Sequence, residues 1–228
     1  MGHAASHARL WIATGLGLAA DLWTKEWAFR SFRPHESRVV IQDLCNLQLS
    51  LNPGALFGIG AGLAPIFVGA SVLALIFVLY LFANSAASRW SMHIALGFVL
   101  AGALGNLYDR TTQQAYVVHT PRGRDIGRLV DQNDRYVTIG DYQSGNNRRS
   151  YKRPLDPRSG LQPVVRDFIK IEARIGKWSL WPWIFNVADA LLVIGVVILL
   201  IAIRFDRRHR KEVGAAAHPA DEGSTQAG

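Results

Sequence analysis

The sequence carries Gly102-Ala-Leu-Gly-Asn106-Leu-Tyr-Asp109-Arg110 and Phe185-Asn186-Val-Ala-Asp189-Ala190, two polar strings that interrupt apolar segments of the chain. In each string an Asn precedes an Asp by three residues, and positions i and i+3 share a face of a helix. Ionisable groups within or next to hydrocarbon are costly, so these strings predict a functional site. Two such carboxylates indicate acid–base chemistry by a pair.

The composition indicates a small integral membrane protein. Half of the 228 residues (50%) are hydrophobic and only 18% are charged, and the mean hydropathy is +0.12. The first apolar run could be a cleaved secretory signal, but it continues through Trp23 and Trp27, beyond a usual signal core, so we expect it to remain as a span. Four runs approach the ~20 residues that cross a bilayer: Ala8–Phe29, Leu63–Ala83, Trp90–Tyr108 and Trp183–Ile203.

Cysteine content and charge narrow the possible partners. Cys45 is the only cysteine, which excludes an intrachain disulfide, a zinc cluster and a Cys-x-x-Cys redox motif. The formal net charge is +8, but much of it lies in one loop and one tail beside the apolar runs. Orientation signals and anionic membrane lipids explain that charge without nucleic acid. We therefore predict no metal, no cofactor and no nucleic-acid partner.

The positive-inside rule predicts the orientation of the chain. The basic flank Arg204–Lys211 is expected to be cytoplasmic. Four spans then place the N-terminus in the cytoplasm as well, with the segments Arg30–Gly62 and Arg110–Pro182 outside. In this topology the unusual polar residues collect at the outer membrane face: Asp21, Lys25, Asn52, Asn106, Asp109 and Asp189.

The two outer segments differ in character. The first contains Asn52-Pro-Gly54, turn chemistry that follows a short alternating stretch and predicts a small β-element. The second, about 111–163, is polar and reads as a long inserted loop, either a flexible lid or a small β-rich subdomain in which Tyr136-Val-Thr-Ile forms a strand. The predicted fold is a mainly α membrane protein with four transmembrane helices and these extracytoplasmic additions. Residues 1–205 form the functional domain, and 206–228 form a basic, disordered cytoplasmic tail.

Four blocks together resemble one known family, lipoprotein signal peptidase (signal peptidase II), a membrane aspartyl protease of bacterial lipoprotein maturation. Two of them are Asp21-Leu-Trp-Thr-Lys25 and Asn52-Pro-Gly54-Ala55-Leu-Phe57-Gly58, and the other two are the polar strings quoted above. Each block alone is weak, but all four in this order in a four-span chain are specific. The resemblance covers residues 8–110 and 163–205.

The resemblance implies a catalytic pair of aspartates. One belongs to a Phe-Asn-x-Ala-Asp block and is Asp189, and the other belongs to a Val-Val-Asp-Phe-like segment, where Asp167 lies. Arg166 departs from that pattern, and the inserted loop lengthens the spacing from the preceding Asp-Arg pair. A competing alignment through Ala115-Tyr-Val-Val118-His119 has the usual spacing but no Asp. Asp167 is predicted because a dyad needs a second carboxylate.

The resemblance also implies the substrate and the place of action. The substrate is a prolipoprotein with a diacylglyceryl-modified cysteine, cleaved just before that cysteine at the outer face of the bacterial cytoplasmic (inner) membrane. Asp21 with Lys25, and Asp109 with Arg110, are expected to form supporting ion pairs. The residues predicted to bind substrate or support the site are Asp21, Lys25, Asn52, Gly54, Ala55, Asn106, Asp109, Arg110, Asn186 and Ala188.

Two other functions are possible from the residues alone. A small transporter or proton channel also uses intramembrane carboxylates, but it would place polar groups through the whole membrane depth, whereas Leu191–Ile203 is apolar. A basic membrane-bound interaction protein would leave both Asn-x-x-Asp strings unexplained. The peptidase is therefore the predicted function.

Overall fold

The computed structural model describes residues 2–34, 36–54, 64–179 and 181–217. These residues form four helices, one for each predicted apolar run: α1 (Gly2–Ser31), α2 (Ala64–Ala83), α3 (Trp90–Thr112) and α4 (Val187–Ala217). By length and composition, α3 and Val187–Arg204 of α4 are able to cross a membrane, and Val72–Ala83 of α2 is apolar but shorter. Two of the four predicted spans therefore meet this criterion within the described ranges.

A four-stranded antiparallel sheet lies beside the helices. Its strands are β1 (Ser37–Ile41), β2 (Cys45–Asn52), β8 (Val165–Ile171) and β11 (Ile184–Phe185), in the order β1-β2-β8-β11. The β-element predicted before Asn52-Pro-Gly54 is thus β2, which pairs with both β1 and β8. β8 is a central strand, so its position is fixed from both sides.

The predicted long loop is a second antiparallel sheet. Its five strands are β3 (Gln114–Thr120), β4 (Gly123–Gln132), β5 (Tyr136–Gly140), β6 (Arg149–Lys152) and β7 (Gly160–Pro163), in the order β6-β5-β4-β3-β7. A further two-stranded ribbon comprises β9 (Arg174–Ile175) and β10 (Trp178–Ser179). Of the two alternatives for this region, the structure has the β-rich one, and Tyr136-Val-Thr-Ile lies in a strand as predicted. The five strands β3 to β7 are referred to below as the inserted sheet.

Two predictions need correction. The description "mainly α" understates the β-structure, because a polar segment with few apolar residues resembles a loop in sequence. The inserted sheet buries a core of its own, formed by Tyr116, Val118, Val137 and Ile139. The tail also differs, because α4 continues as helix to Ala217 where a disordered segment was expected from residue 206. Residues 218–228 lie outside the described residues.

The helices pack closely around α3. Leu10 of α1 meets Leu96 and Leu100 of α3 in a buried apolar cluster. Nearer the end of α3, a Cβ on Gly102 would collide with the backbone oxygen of Ala188 and the side chain of Leu192. Only a glycine allows α4 to approach α3 this closely.

The two sheets are held to the end of α1 by aromatic residues. Phe29 and Phe32 form a buried cluster with Phe168 of β8. Tyr142, which follows β5, packs edge-to-face on Phe29 with 6.3 Å between ring centroids, and its hydroxyl donates to Gln113 Oε1 at 2.8 Å. The inserted sheet is therefore docked on the rest of the protein.

We predict that Gly102→Ala destabilises the helix packing, whereas Gly15→Ala does not. The added methyl group at Gly102 meets α4, and overpacking of this kind costs about 1–3 kcal/mol. Gly15 has no atom within 4 Å of an added Cβ, so the change there only improves helix propensity. Thermal unfolding of both variants in detergent measures the difference. Equal midpoints would contradict this account of the α3–α4 contact.

Candidate active site

Asp167 lies in the middle of β8, opposite Ser50 of β2. Its side chain is buried, and two amides donate to it: Asn186 Nδ2 to Oδ1 at 2.7 Å and Asn52 Nδ2 to Oδ2 at 3.2 Å. Burial raises the pKa of Asp167 well above its usual range, and the Asp189 carboxylate raises it further, while the two amide hydrogen bonds oppose the shift. This carboxyl group therefore retains its proton at a pH where an exposed Asp has lost it.

Asp189 occupies the first turn of α4. Asn106 Nδ2 of α3 donates to its Oδ1 at 2.8 Å. The backbone N–H of Asn186 donates to Asp189 Oδ2 at 3.2 Å, and the backbone N–H of Asp189 donates to Asn186 Oδ1 at 3.0 Å. This reciprocal pair is a capping box, which satisfies the free N–H groups at the start of a helix. The Asn-x-x-Asp spacing of this string thus reflects a helix cap and not two residues on one helical face.

The amides of Asn106 and Asn186 connect the two carboxyl groups. Asn186 Nδ2, which donates to Asp167, also donates to Asn106 Oδ1 at 3.2 Å. Asn106 in turn donates to Asp189. Strand β8, helix α3 and the start of α4 therefore place two carboxyl groups around one pair of amides.

A group of buried charged residues lies directly behind these amides. Lys25 Nζ is 2.8 Å from Asp21 Oδ2 and 3.4 Å from Asp109 Oδ2, and all three side chains are fully buried. Lys25 also donates to Asn106 Oδ1 at 3.3 Å. The predicted Asp21–Lys25 ion pair is therefore present, and Lys25 connects it to the amide of Asn106.

Asp109 has a different main partner from the one predicted. The guanidinium of Arg166 contacts Asp109 Oδ1 with Nη2 at 2.9 Å and Nε at 3.2 Å. Arg110 instead donates to backbone oxygens, that of Gly54 at 3.2 Å and that of Asn106 at 3.5 Å. In the sequence Arg166 stands out only as a departure from the Val-Val-Asp-Phe-like pattern, and its position next to Asp167 does not indicate its partner.

The remaining predicted site residues support the backbone. Asn52 Oδ1 accepts from the N–H of Gly54 at 3.0 Å, which shapes the Asn-Pro-Gly turn. Ala188 is buried, and its N–H donates to Asp21 Oδ1 at 2.8 Å. Ala55, with Phe57 and Gly58 of the same block, lies outside the described residues.

The segment used by the competing alignment lies in another part of the molecule. Ala115–His119 belongs to β3 and pairs with β4 and β7 inside the inserted sheet. The nearby carboxylate of Asp125 is held there by Arg149 at 2.8 Å and the hydroxyl of Tyr151 at 2.5 Å. Within the described ranges, no group of three or more His, Cys, Asp or Glu side chains is arranged to hold a metal ion.

Two solved structures share the fold, and both are titled bacterial membrane enzymes. One, determined at 2.3 Å, aligns with a TM-score of 0.55 and 22% identity over 94% of this chain and 93% of its own. The other, at 1.9 Å, aligns with a TM-score of 0.54 and 23% identity over 84% and 90%. The chain therefore has the fold of a bacterial membrane enzyme.

The family follows from the sequence comparisons. The profile of the family described as Signal peptidase (SPase) II matches residues 13–205, and the chain belongs to that family. The lipoprotein signal peptidase of Desulfitobacterium hafniense strain DCB-2 is 29% identical over 203 residues, covering 89% of this chain and 97% of the relative. That of Rhodopirellula baltica is 32% identical over 194 residues, covering 81% and 66%. The protein is a protease that removes signal peptides from prolipoproteins, which confirms the predicted resemblance.

We predict that Lys25→Met strongly destabilises the protein, whereas Arg30→Met on the same helix does not. Lys25 is buried between two carboxylates, and breaking a buried pair costs about 3–5 kcal/mol. Arg30 pairs with Glu26 at the surface, where its side chain is 79% exposed, and such pairs contribute about 0–1 kcal/mol. Denaturant unfolding in detergent compares the two variants, and similar losses would show that the Lys25 group does not stabilise the fold.

Proposed function

We propose that Asp167 and Asp189 are the catalytic dyad of an aspartic-type endopeptidase that removes the signal peptides of prolipoproteins. The observation that supports this most is the amide layer, in which Asn186 donates to Asp167, Asn106 donates to Asp189, and the two amides are hydrogen-bonded to each other. It holds two carboxyl groups toward one reaction centre. The raised pKa of Asp167 supports a proton shared by the pair.

The shared proton gives the two carboxyl groups complementary roles. The ionised member accepts a proton from a water molecule, whose oxygen attacks the scissile carbonyl carbon. The protonated member donates a hydrogen bond to the carbonyl oxygen, on which negative charge develops. As the tetrahedral intermediate collapses, the C–N bond breaks and the proton taken from water passes to the leaving amine. The dyad returns to its singly protonated state, and no covalent intermediate forms on the enzyme.

The remaining site residues orient the dyad. Asn52 and Asn186 hold the two oxygens of Asp167. The buried charged group of Asp21, Lys25 and Asp109 supports the amide layer from behind. Arg110 and Gly54 contact each other at the rim of the site, where a substrate backbone or lipid headgroup would approach.

The proposed substrate carries a diacylglyceryl-modified cysteine, and the site faces the outer surface of the bacterial inner membrane. In support, Lys25 lies in the last turns of α1, Asn106 lies near the end of α3, and Asp189 lies at the start of α4. The site is therefore at one end of the helical bundle, within reach of a lipid-anchored peptide. By the positive-inside rule, the basic flank after residue 203 supports a cytoplasmic position for the other end of the bundle and for both termini.

The proposed domain organisation has residues 1–205 as the peptidase and the inserted sheet as an accessory unit. The sheet has its own buried core, and the dyad and its amides are all outside it. It is therefore expected to affect substrate access and not bond cleavage.

We predict that Asp167→Asn and Asp189→Asn each reduce cleavage by about 10²-fold or more, because each removes one proton-transfer group. Asn keeps the shape of the side chain, so substrate binding should change little. Asp109→Asn should weaken folding or positioning, because Asp109 holds Arg166 and Lys25. Single-turnover cleavage of a lipid-modified peptide, at matched protein levels, measures all three.

Asp125→Asn is the matched control, because this carboxylate is hydrogen-bonded but belongs to the inserted sheet. It should cleave at the normal rate. Near-normal cleavage by Asp167→Asn together with an inactive, folded Asp109→Asn would assign the dyad to Asp109 and Asp189 instead.

We also predict that Asn52→Ala moves the alkaline limb of the pH–rate profile to higher pH. The Asn52 amide favours the ionised form of Asp167 and so lowers its pKa, and its removal raises that pKa further. Activity is lost when the shared proton is lost, which then occurs at higher pH. Asn84→Ala, an exposed amide that donates to Tyr80, should leave the profile unchanged. A limb that stays in place or moves to lower pH in the Asn52 variant would refute the prediction.

A further inference from the structure

Arg166 and Asp167 are consecutive residues of β8, and a strand directs consecutive side chains to opposite faces. Asp167 contacts the amides of Asn52 and Asn186. Arg166 is buried on the other face, against α3 and α1. Any displacement of Arg166 is therefore transmitted directly to Asp167 through one peptide unit.

Arg166 grips Asp109 at three points. Its backbone N–H donates to Asp109 Oδ2 at 2.9 Å, and its Nε and Nη2 donate to Asp109 Oδ1 at 3.2 and 2.9 Å. Its remaining nitrogen, Nη1, donates to Glu26 Oε2 at 2.9 Å. Charge-assisted contacts to both oxygens of one carboxylate fix orientation as well as distance. These contacts fix both the position of β8 along α3 and the rotation of β8 about its own axis.

This contact joins parts of the chain that are far apart in sequence. Asp109 and Arg166 are separated by 57 positions, which include the whole inserted sheet. In this chain Arg166 stands directly before Asp167 in the segment Val164-Val165-Arg166-Asp167-Phe168, which follows the inserted sheet. Arg166 also completes the charge balance of the buried group, in which Asp21 and Asp109 face Lys25 and Arg166.

We infer that Arg166 is a positioning residue for peptide-bond cleavage: by fixing β8 to Asp109 of α3, it sets the distance and orientation of Asp167 relative to Asp189. This inference rests on the proposed dyad. It assigns Arg166 no contact with substrate or with the reacting atoms. Its effect is therefore on the rate of cleavage within the bound complex and not on substrate affinity.

The test compares Arg166→Met and Arg166→Lys with Glu26→Gln in the full-length protein. Substrate dissociation constants and single-turnover cleavage rates are measured separately on a lipid-modified peptide. We expect Arg166→Met to cleave about 10- to 100-fold more slowly with little change in the dissociation constant, because small misplacements of reacting groups have effects of this size. Arg166→Lys keeps the charge but loses the paired Nε and Nη2 contacts to Asp109 Oδ1, so its cleavage rate should be intermediate. Glu26→Gln changes only the half-exposed partner of Arg166 Nη1, so this variant should cleave at the normal rate.

Asp189→Asn serves as the reference for the dyad itself. If it is inactive while Arg166→Met cleaves at the wild-type rate, the inference about Arg166 is wrong and the proposed dyad stands. If Asp189→Asn is active, the dyad is wrong and the inference falls with it. A loss of substrate affinity at an unchanged cleavage rate in Arg166→Met would also overturn the positioning role.

A failure of Arg166→Met to fold is resolved by the double variant Arg166→Met with Asp109→Asn. The double variant removes both buried charges together, so neither is left unpaired. It should recover folding and still cleave slowly, because β8 is no longer gripped. Cleavage at the wild-type rate by the folded double variant would show that the grip has no part in positioning Asp167.

Discussion

The structure depends on the ion pairs and the hydrogen bond that the buried ammonium group of Lys25 makes. This group contacts Asp21 on its own helix and Asp109 and Asn106 on α3. Asp21 then caps the start of α4 through the N–H of Ala188, and Asp109 holds β8 through Arg166. Charges buried this deeply are stable only as a complete set. The same set therefore assembles three helices and the strand that carries Asp167, so fold and site form together.

The neutral amide of Asn106 stands between the Lys25 ammonium group and Asp189 of the proposed dyad. Asn52, Asn106 and Asn186 supply the side-chain hydrogen bonds to Asp167 and Asp189 described above. A lysine or arginine in direct contact would favour two ionised carboxylates and prevent a shared proton. An amide holds a carboxyl group in place with a smaller preference for its charge. The layered arrangement thus combines a rigid support with a pair of acids that remain free to exchange one proton.

Sequence reasoning succeeded where a local pattern has one physical meaning. The apolar runs predicted the helices, and the i,i+4 spacing of Asp21 and Lys25 predicted their ion pair. The predicted ion pair between Asp109 and Arg110 was wrong, because adjacent helical residues point about 100° apart and do not face each other. The partner of Arg166 could not be predicted from a local pattern, since Asp109 lies 57 positions away. The sequence does not decide between a flexible lid and a β-rich subdomain for this segment, because a small core of alternating apolar residues gives a weak signal.

The inserted sheet joins the rest of the protein through a narrow neck, at which Gln113 and Gln114 lie beside Pro163 and Val164. Gln114 pairs with Pro163, and the N–H of Val164 donates to Gln113 O at 3.1 Å, so the segment leaves and re-enters the protein at nearly the same point. The entropy of closing a loop grows only with the logarithm of its length. Once the two ends are joined at such a neck, the size of what lies beyond it matters little to the rest of the protein. The end of α3 is thus a graft point, where modules with adjacent termini could be exchanged while the buried charges and their amides stay unaltered.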